Sequence, residues 1–192
     1  MSLLAALPEM TIVHPASAAE TRALTAWAIE EAEGSVAIRL AIGPSPRRLE
    51  VGGEVAVGRG TILREGTDAL LIAYGPVMLH EALTAAEASA AALQVVALPW
   101  LNRVDHDWLA ETVAPFADVF VLEDHAPVGA LGDTLLRELA AAGQLEGRAL
   151  HVFGVEGWPA CGTPPEALRA HRLDGASLAE RIEAVLRAPA TP

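Results

Sequence analysis

A chain of 192 residues, 52% hydrophobic with a mean hydropathy of +0.34, can bury a sizeable core, which excludes a disordered protein and leaves one large domain or one domain plus a fragment. A net charge of -12 and a pI near 4.8, with the basic residues scattered, argue against nucleic acid or an anionic membrane as partner. All 13 basic residues are arginine, so a Schiff-base lysine, a P-loop lysine and a lysine general base are excluded by composition alone.

Residues 1–7 have no basic stretch that would mark a secretory signal, and no segment approaches the roughly 18 uncharged apolar residues of a membrane span. The single cysteine, Cys161, excludes an internal disulfide and fits a reducing cytoplasm, where a soluble chain is expected. Residues 10–14 (MTIVH) read as a short strand ended by Pro15. Ser17, with Glu20 three positions on, predicts a capped helix whose residues Ala23, Leu24, Trp27 and Ala28 share a face. After Gly34, residues 35–40 (SVAIRL) form a second strand. A single βαβ unit exposes its edges and one face, so it is expected either to end a larger domain or to pack as an extension on the main one.

Residues 43–60 read as an extended linker: Gly43-Pro44-Ser45-Pro46, then Arg47-Arg48 and Gly52-Gly53, with a short hairpin expected within residues 50–57. The stretch 61–75 (TILREGTDALLIAYG) opens with a β-branched pair, breaks at Glu65-Gly66, and runs uncharged through residues 69–73 before Gly75-Pro76. That run is a strand buried on both faces, with a helix over residues 80–92 behind it. Further strands are predicted at 93–98, 119–122 and 150–155, and helices at 106–114, 129–142, 165–170 and 178–188. The alternation gives a three-layer α/β/α sandwich with a mostly parallel sheet, preceded by the partial βαβ unit and followed by a frayed tail at 189–192.

Chemistry-bearing residues are sparse. Glu123-Asp124-His125 follows a strand, at the end where α/β enzymes gather their ligands. Asp105 makes an ordinary helix cap, and His80 is expected at a helix head, solvated. Cys161 precedes a helix N-terminus, which could lower its thiol pKa, and with His125 it frames one reading: a stand-alone α/β enzyme with a cysteine nucleophile.

A second reading rests on resemblance. Residues 58–90 (GRGTILREGTDALLIAYGPVMLHEALTAAEASA) carry Gly58, Leu63, Arg64, Glu65, Gly66, Asp68 and Gly75 in the spacing that opens the C-terminal domain of transketolase-like thiamine diphosphate enzymes. Residues 14–20 and 36–40 resemble the last crossover of the preceding pyrimidine-binding domain in that family. The resemblance implies three parts: residues 1–42 as the tail of a pyrimidine-binding domain, 43–60 as linker, and 61–192 as the C-terminal domain of a chain cut from, or split off, a larger enzyme. It places Arg39 where the family holds the substrate phosphate, a role that suits a bidentate guanidinium at a strand's carboxyl end; an ordinary surface ion pair is the alternative. It makes Glu123, His125, Gly129 and Gly132 parts of a structural turn near the dimer interface, and puts a small residue where Cys161 stands.

The parent would use thiamine diphosphate and magnesium, but this chain should hold neither. Gly132-Asp133-Thr134 lacks the second glycine of the family's Gly-Asp-Gly motif, no asparagine follows it, and the family's catalytic glutamate lies upstream of residue 1. The implied function is the dimer-stabilising portion of an enzyme that moves two-carbon ketol units between sugar phosphates, inactive alone, with a twin or a cofactor-binding domain or subunit as partner. 1-Deoxyxylulose 5-phosphate synthase and the β subunits of 2-oxoacid dehydrogenases share the same domain and remain alternatives.

Overall fold

The uncharged run Ala69–Ala73 offers nothing to water, and in the computed structural model, which describes residues 1–43 and 45–188, it lies at the centre of a five-stranded sheet with every residue buried. In chain order the elements are α1 (Ser2–Ala5), β1 (Thr11–Val13), α2 (Ala18–Glu30), β2 (Val36–Ile38), β3 (Thr61–Arg64), β4 (Ala69–Ala73), α3 (Gly75–Ala88) and β5 (Leu93–Ala97). They continue with α4 (His106–Val113), β6 (Asp118–Leu122), α5 (Leu131–Ala141), β7 (Ala149–Phe153), α6 (Pro164–Ala170) and α7 (Gly175–Arg187). The large sheet has the order β3-β5-β4-β6-β7, parallel throughout except for β3, which runs antiparallel to β5. β1 and β2 pair in parallel as a separate two-stranded sheet.

Alternation along β4 separates two cores, and this makes the expected three layers. Ala69, Leu71 and Ala73 pack with Met78, Leu79 and Ala82 of α3 and Leu178 and Ile182 of α7. Leu70 and Ile72 face the other side, against Leu109 and Val113 of α4 and Leu131, Leu135 and Leu139 of α5. Each fully buried leucine or isoleucine here contributes about 1.5–3 kcal/mol of transfer free energy.

The first crossover joins that second core through Ile12, Leu24 and Trp27. Its edge is not left open. Val13 bridges antiparallel to Trp100; the His14 N–H donates to Pro99 O at 2.8 Å and the Leu101 N–H to Ile12 O at 2.9 Å. Asn102 completes the seam, its Oδ1 accepting from Ile12 N at 2.9 Å and its Nδ2 donating to Met10 O at 2.8 Å. Trp27 meets Trp100 edge to face, with centroids 4.9 Å apart.

Several local expectations need correction. α3 starts at Gly75 and ends at Ala88 instead of spanning 80–92, because Pro76 fits a first helical turn, whose N–H groups lack helical partners anyway. His80 therefore lies inside the helix, its Nδ1 accepting from Arg47 Nε at 3.2 Å. Residues 50–57 form no hairpin. Leu49 and Val51 are instead drawn into the α3 core, Ser17 Oγ donates to Val51 O at 2.7 Å, and Gly52 presses on α2 so closely that a Cβ would lie 2.3 Å from Glu20 N. Ser17 Oγ does accept from Glu20 N at 3.0 Å, but the Glu20 carboxylate takes the Ala16 N–H at 2.6 Å, so the reciprocal capping box is absent at Ser17. A true capping box stands at Thr163 and Glu166 of α6. Asp105 caps α4 as expected, accepting from Trp108 N at 2.8 Å. α5 begins at Leu131 and not at 129, α1 had no signal in the sequence, and the tail at 189–192 lies outside the described residues.

Candidate functional site

The carboxyl ends of four parallel strands, two from each sheet, deliver polar side chains to one place. His14 follows β1, Arg39 follows β2, Tyr74 follows β4, and Glu123-Asp124-His125 follow β6. Strand ends are where ladder hydrogen bonding stops and side chains converge, and they lie on the side expected from the sequence.

At the centre Tyr74 Oη lies 2.6 Å from Glu123 Oε2 and 3.2 Å from His125 Nε2. Glu123 is fully buried, and its other oxygen accepts from Gly132 N at 2.8 Å. Arg39 Nη1 donates to Asp124 Oδ1 at 2.5 Å and reaches His14 Nδ1 at 3.3 Å. The His14 ring lies over Tyr74, centroids 5.6 Å apart, and against Gly75, whose missing Cβ would sit 2.6 Å from His14 Cε1. Only Gly75, with its φ of +64°, admits that approach.

The proton arrangement follows from donor and acceptor capacity. His125 Nδ1 lies 2.8 Å from Ala126 O, a carbonyl that only accepts, so Nδ1 carries a hydrogen. Tyr74 has one proton for two neighbours. Either it donates to an ionised Glu123 and accepts from a doubly protonated His125, or a protonated Glu123 donates to Tyr74, which donates to a neutral His125. The two arrangements hold the same number of protons. Burial pushes the Glu123 carboxyl above the usual carboxylate range, against the hydrogen bonds from Tyr74 and Gly132, and burial with the Glu123 charge raises the Tyr74 phenol well above its ordinary value.

Burial, then the Arg39 charge, lowers the His14 pKa to about 4, so the ring is neutral at pH 7. With Nδ1 accepting from Arg39, its Nε2 carries the hydrogen, and that buried atom has no partner among the described residues. Tyr74→Phe is expected to cost about 1–3 kcal/mol, the penalty for stranding a buried carboxyl partner, read as a lower urea midpoint at unchanged m-value.

The expected site residues separate. Arg39, Glu123, His125 and Gly132 come together. Gly129, at φ +67°, turns against Ser2 of α1, where a Cβ would meet Ser2 Cβ at 2.5 Å. Cys161 is exposed, and His125 spends both ring nitrogens on Tyr74 and Ala126, so no thiol–imidazole hydrogen bond forms. The sequence reading missed His14 and Tyr74; Tyr74, the chain's single tyrosine, stands at the end of the most apolar strand, a position that signals core as readily as site.

A diphosphate-bound magnesium does not fit the residues present. The Gly132 N–H is held by Glu123 and the Asp133 carboxylate accepts from Gly129 N at 2.5 Å, so the remnant of the motif serves its own turn. No cluster of three or more His, Cys, Asp or Glu able to hold a metal occurs among the described residues, and no described helix is long and apolar enough to cross a membrane. Beside the network lie two open clefts. One, of about 1050 Å³, runs past Ser17, Leu40, Arg47, Arg48 and Pro76; the other, of about 570 Å³, is lined by Asp124, His125, Val155, Trp158 and Pro159.

Residues 58–178 match the family described as "Transketolase, C-terminal domain". The chain belongs to that family. The 1-deoxy-D-xylulose-5-phosphate synthase of Chlorobium luteolum is 30% identical over 195 residues, covering 98% of this chain and 30% of the relative. That of a Synechococcus species is 28% identical over 198 residues, with the same coverage of each. A solved structure titled "Split gene transketolase, inactive beta4 tetramer" superposes with a TM-score of 0.82 at 31% identity, over 96% of this chain and 60% of that one. The chain thus spans less than a third of the length of these curated relatives. The mostly parallel α/β/α fold and the transketolase C-terminal character read from residues 58–90 are both borne out, and the likeness to the synthases keeps that alternative within the same family.

Proposed function

We propose that this chain is the C-terminal portion of a transketolase-like, thiamine diphosphate-dependent enzyme that transfers two-carbon units to or between sugar phosphates, and that it is catalytically incomplete alone. Its residues 1–42 act as the last crossover of a pyrimidine-binding domain, 43–60 as linker and 61–192 as the C-terminal domain. The observation that supports this best is the convergence of Arg39, from the first crossover, with Asp124 and His14 at the carboxyl ends of strands from both sheets: the two parts form one site edge. Arg39 is the anchor for the substrate's phosphate, and Glu123, His125, Gly129 and Gly132 shape the turn behind it. Thiamine diphosphate and magnesium would be held by residues of a partner domain or subunit, in a cytoplasmic assembly in which this chain also pairs with a second copy. The relative whose title names a β4 tetramer supports such self-association.

The test is purification of the chain from its source with whatever it binds, followed by assay. Expected are a partner, or a longer polypeptide, carrying the Gly-Asp-Gly motif, and turnover only in its presence. In that assembly Arg39→Ala should raise KM for the sugar phosphate about 10–100-fold while changing kcat little, as loss of a charge-assisted phosphate contact requires. Turnover by the isolated chain, or an unchanged KM, would overturn the proposal. The likeness to the synthases favours a second reading, in which the product is 1-deoxy-D-xylulose 5-phosphate. Formation of that product by the assembly, with no ketol transfer between sugar phosphates, would select it.

A further inference from the structure

Arg39 is not waiting empty-handed for an anion. Its Nη1 is already held by Asp124 Oδ1 at 2.5 Å, with side-chain exposures of 34% for Arg39 and 18% for Asp124. Among the described residues no partner is found for Nη2 or Nε, so one edge of the guanidinium can still receive a second anion. Asp124 is not needed to hold up the surrounding turn. Glu123 bonds Gly132 N and Tyr74, and His125 bonds Ala126 and Tyr74; among the described residues the Asp124 side chain is committed to Arg39 alone. A carboxylate in that position neutralises the guanidinium and repels any phosphate that shares it, across a short gap in partly desolvated surroundings, where Coulomb energies are larger than in bulk water.

We propose that Asp124 is a resident competitor for the phosphate group at Arg39, and so sets the affinity of this site for phosphorylated ligands. The inference rests on the reading of Arg39 as the phosphate anchor. In it, Asp124 keeps the arginine ordered and its charge paired when no ligand is bound, and gives up part of that pairing when a phosphate monoester arrives. Asp124 is thus a specificity-determining residue: it sets how much negative charge the ligand must carry to displace it, which disfavours weakly charged anions.

The experiment uses the full chain, inorganic phosphate as probe, and the Arg39 Nε–Hε NMR resonance as readout at constant ionic strength. Asp124→Asn keeps the shape and an acceptor oxygen while removing the charge; Asp124→Ser is the second variant should the first lose its native spectrum. Phosphate is expected to bind the variant about tenfold more tightly than the wild type, and Arg39→Ala in the same background to abolish binding. Equal affinity in wild type and variant, through a shifted Arg39 resonance, would overturn the competition while leaving the anchor standing. Weaker binding in the variant would overturn it too, since Asp124 would then be a positioning residue. Phosphate that binds without moving the Arg39 resonance, or binds to neither form, would sink the competition and the anchor together.

Discussion

Gly66→Ala is expected to lower the unfolding free energy by about 4 kcal/mol or more, enough to unfold the chain if its total stability is ordinary. A Cβ at position 66 would lie 2.2 Å from Gln94 N and 2.2 Å from Leu93 C, both backbone atoms at the start of β5. No side-chain rotation relieves that overlap. Relief requires the turn ahead of β4 to move away from β5, and the same turn is fastened there by Thr67 N and Asp68 N donating to Ala92 O at 2.9 Å, and by Ala92 N donating to Asp68 Oδ2 at 2.7 Å. Displacing it would disturb the β4–β5 register at the centre of the sheet. Urea unfolding at fixed protein concentration checks this, with Glu65→Ala, an exposed neighbour, as the near-neutral control. A Gly66→Ala midpoint close to wild type would show that this packing is not a constraint.

His14 should make the fold acid-sensitive in a definite window. Its ordinary pKa of 6.5 falls to about 4 in the folded chain, because the ring is buried and beside Arg39. Above pH 6.5 the ring is neutral in both folded and unfolded chains and adds no pH dependence. As the pH falls from 6.5 toward 4 the unfolded chain takes up a proton that the folded chain refuses, so stability is lost across that range and levels off below it. The full loss is roughly 3 kcal/mol, and about 2 kcal/mol of it falls between pH 7.5 and 5. His14→Phe, which cannot titrate, should lack this component. The comparison of unfolding free energies for wild type and variant at those two pH values isolates it, since carboxylates common to both cancel. Parallel pH profiles would mean that the buried ring accepts a proton without penalty.

How much of this was legible beforehand depends on how local each signal is. The charge-free run of β4 needed no tertiary information, because burial on both faces tolerates no polar side chain. Asp105 as a cap and Gly66 as part of a fixed pattern were equally local, and so was the family: residues 58–90 carry it in their spacing. Arg39 and the Glu123-Asp124-His125 string could be placed at strand ends, but not together.

Strand order and register decided that. Arg39 and Asp124 are 85 positions apart, and meet because β2 and β6 end at one rim. His14 and Tyr74 read as strand-end residues of no special kind; only packing showed a neutral imidazole seated on a glycine and a phenol between a buried carboxyl and a second imidazole. The linker could not reveal that Leu49 and Val51 would be buried, since a hairpin and a packed loop share the same Gly-Gly pattern until a neighbouring helix competes for the chain. The sequence by itself determined the sheet's central strand, the capped starts of α2 and α4, and the family. The tertiary structure alone decided which polar groups face one another, because that depends on the order in which strands lie side by side, and periodicity along one strand says nothing about its neighbour.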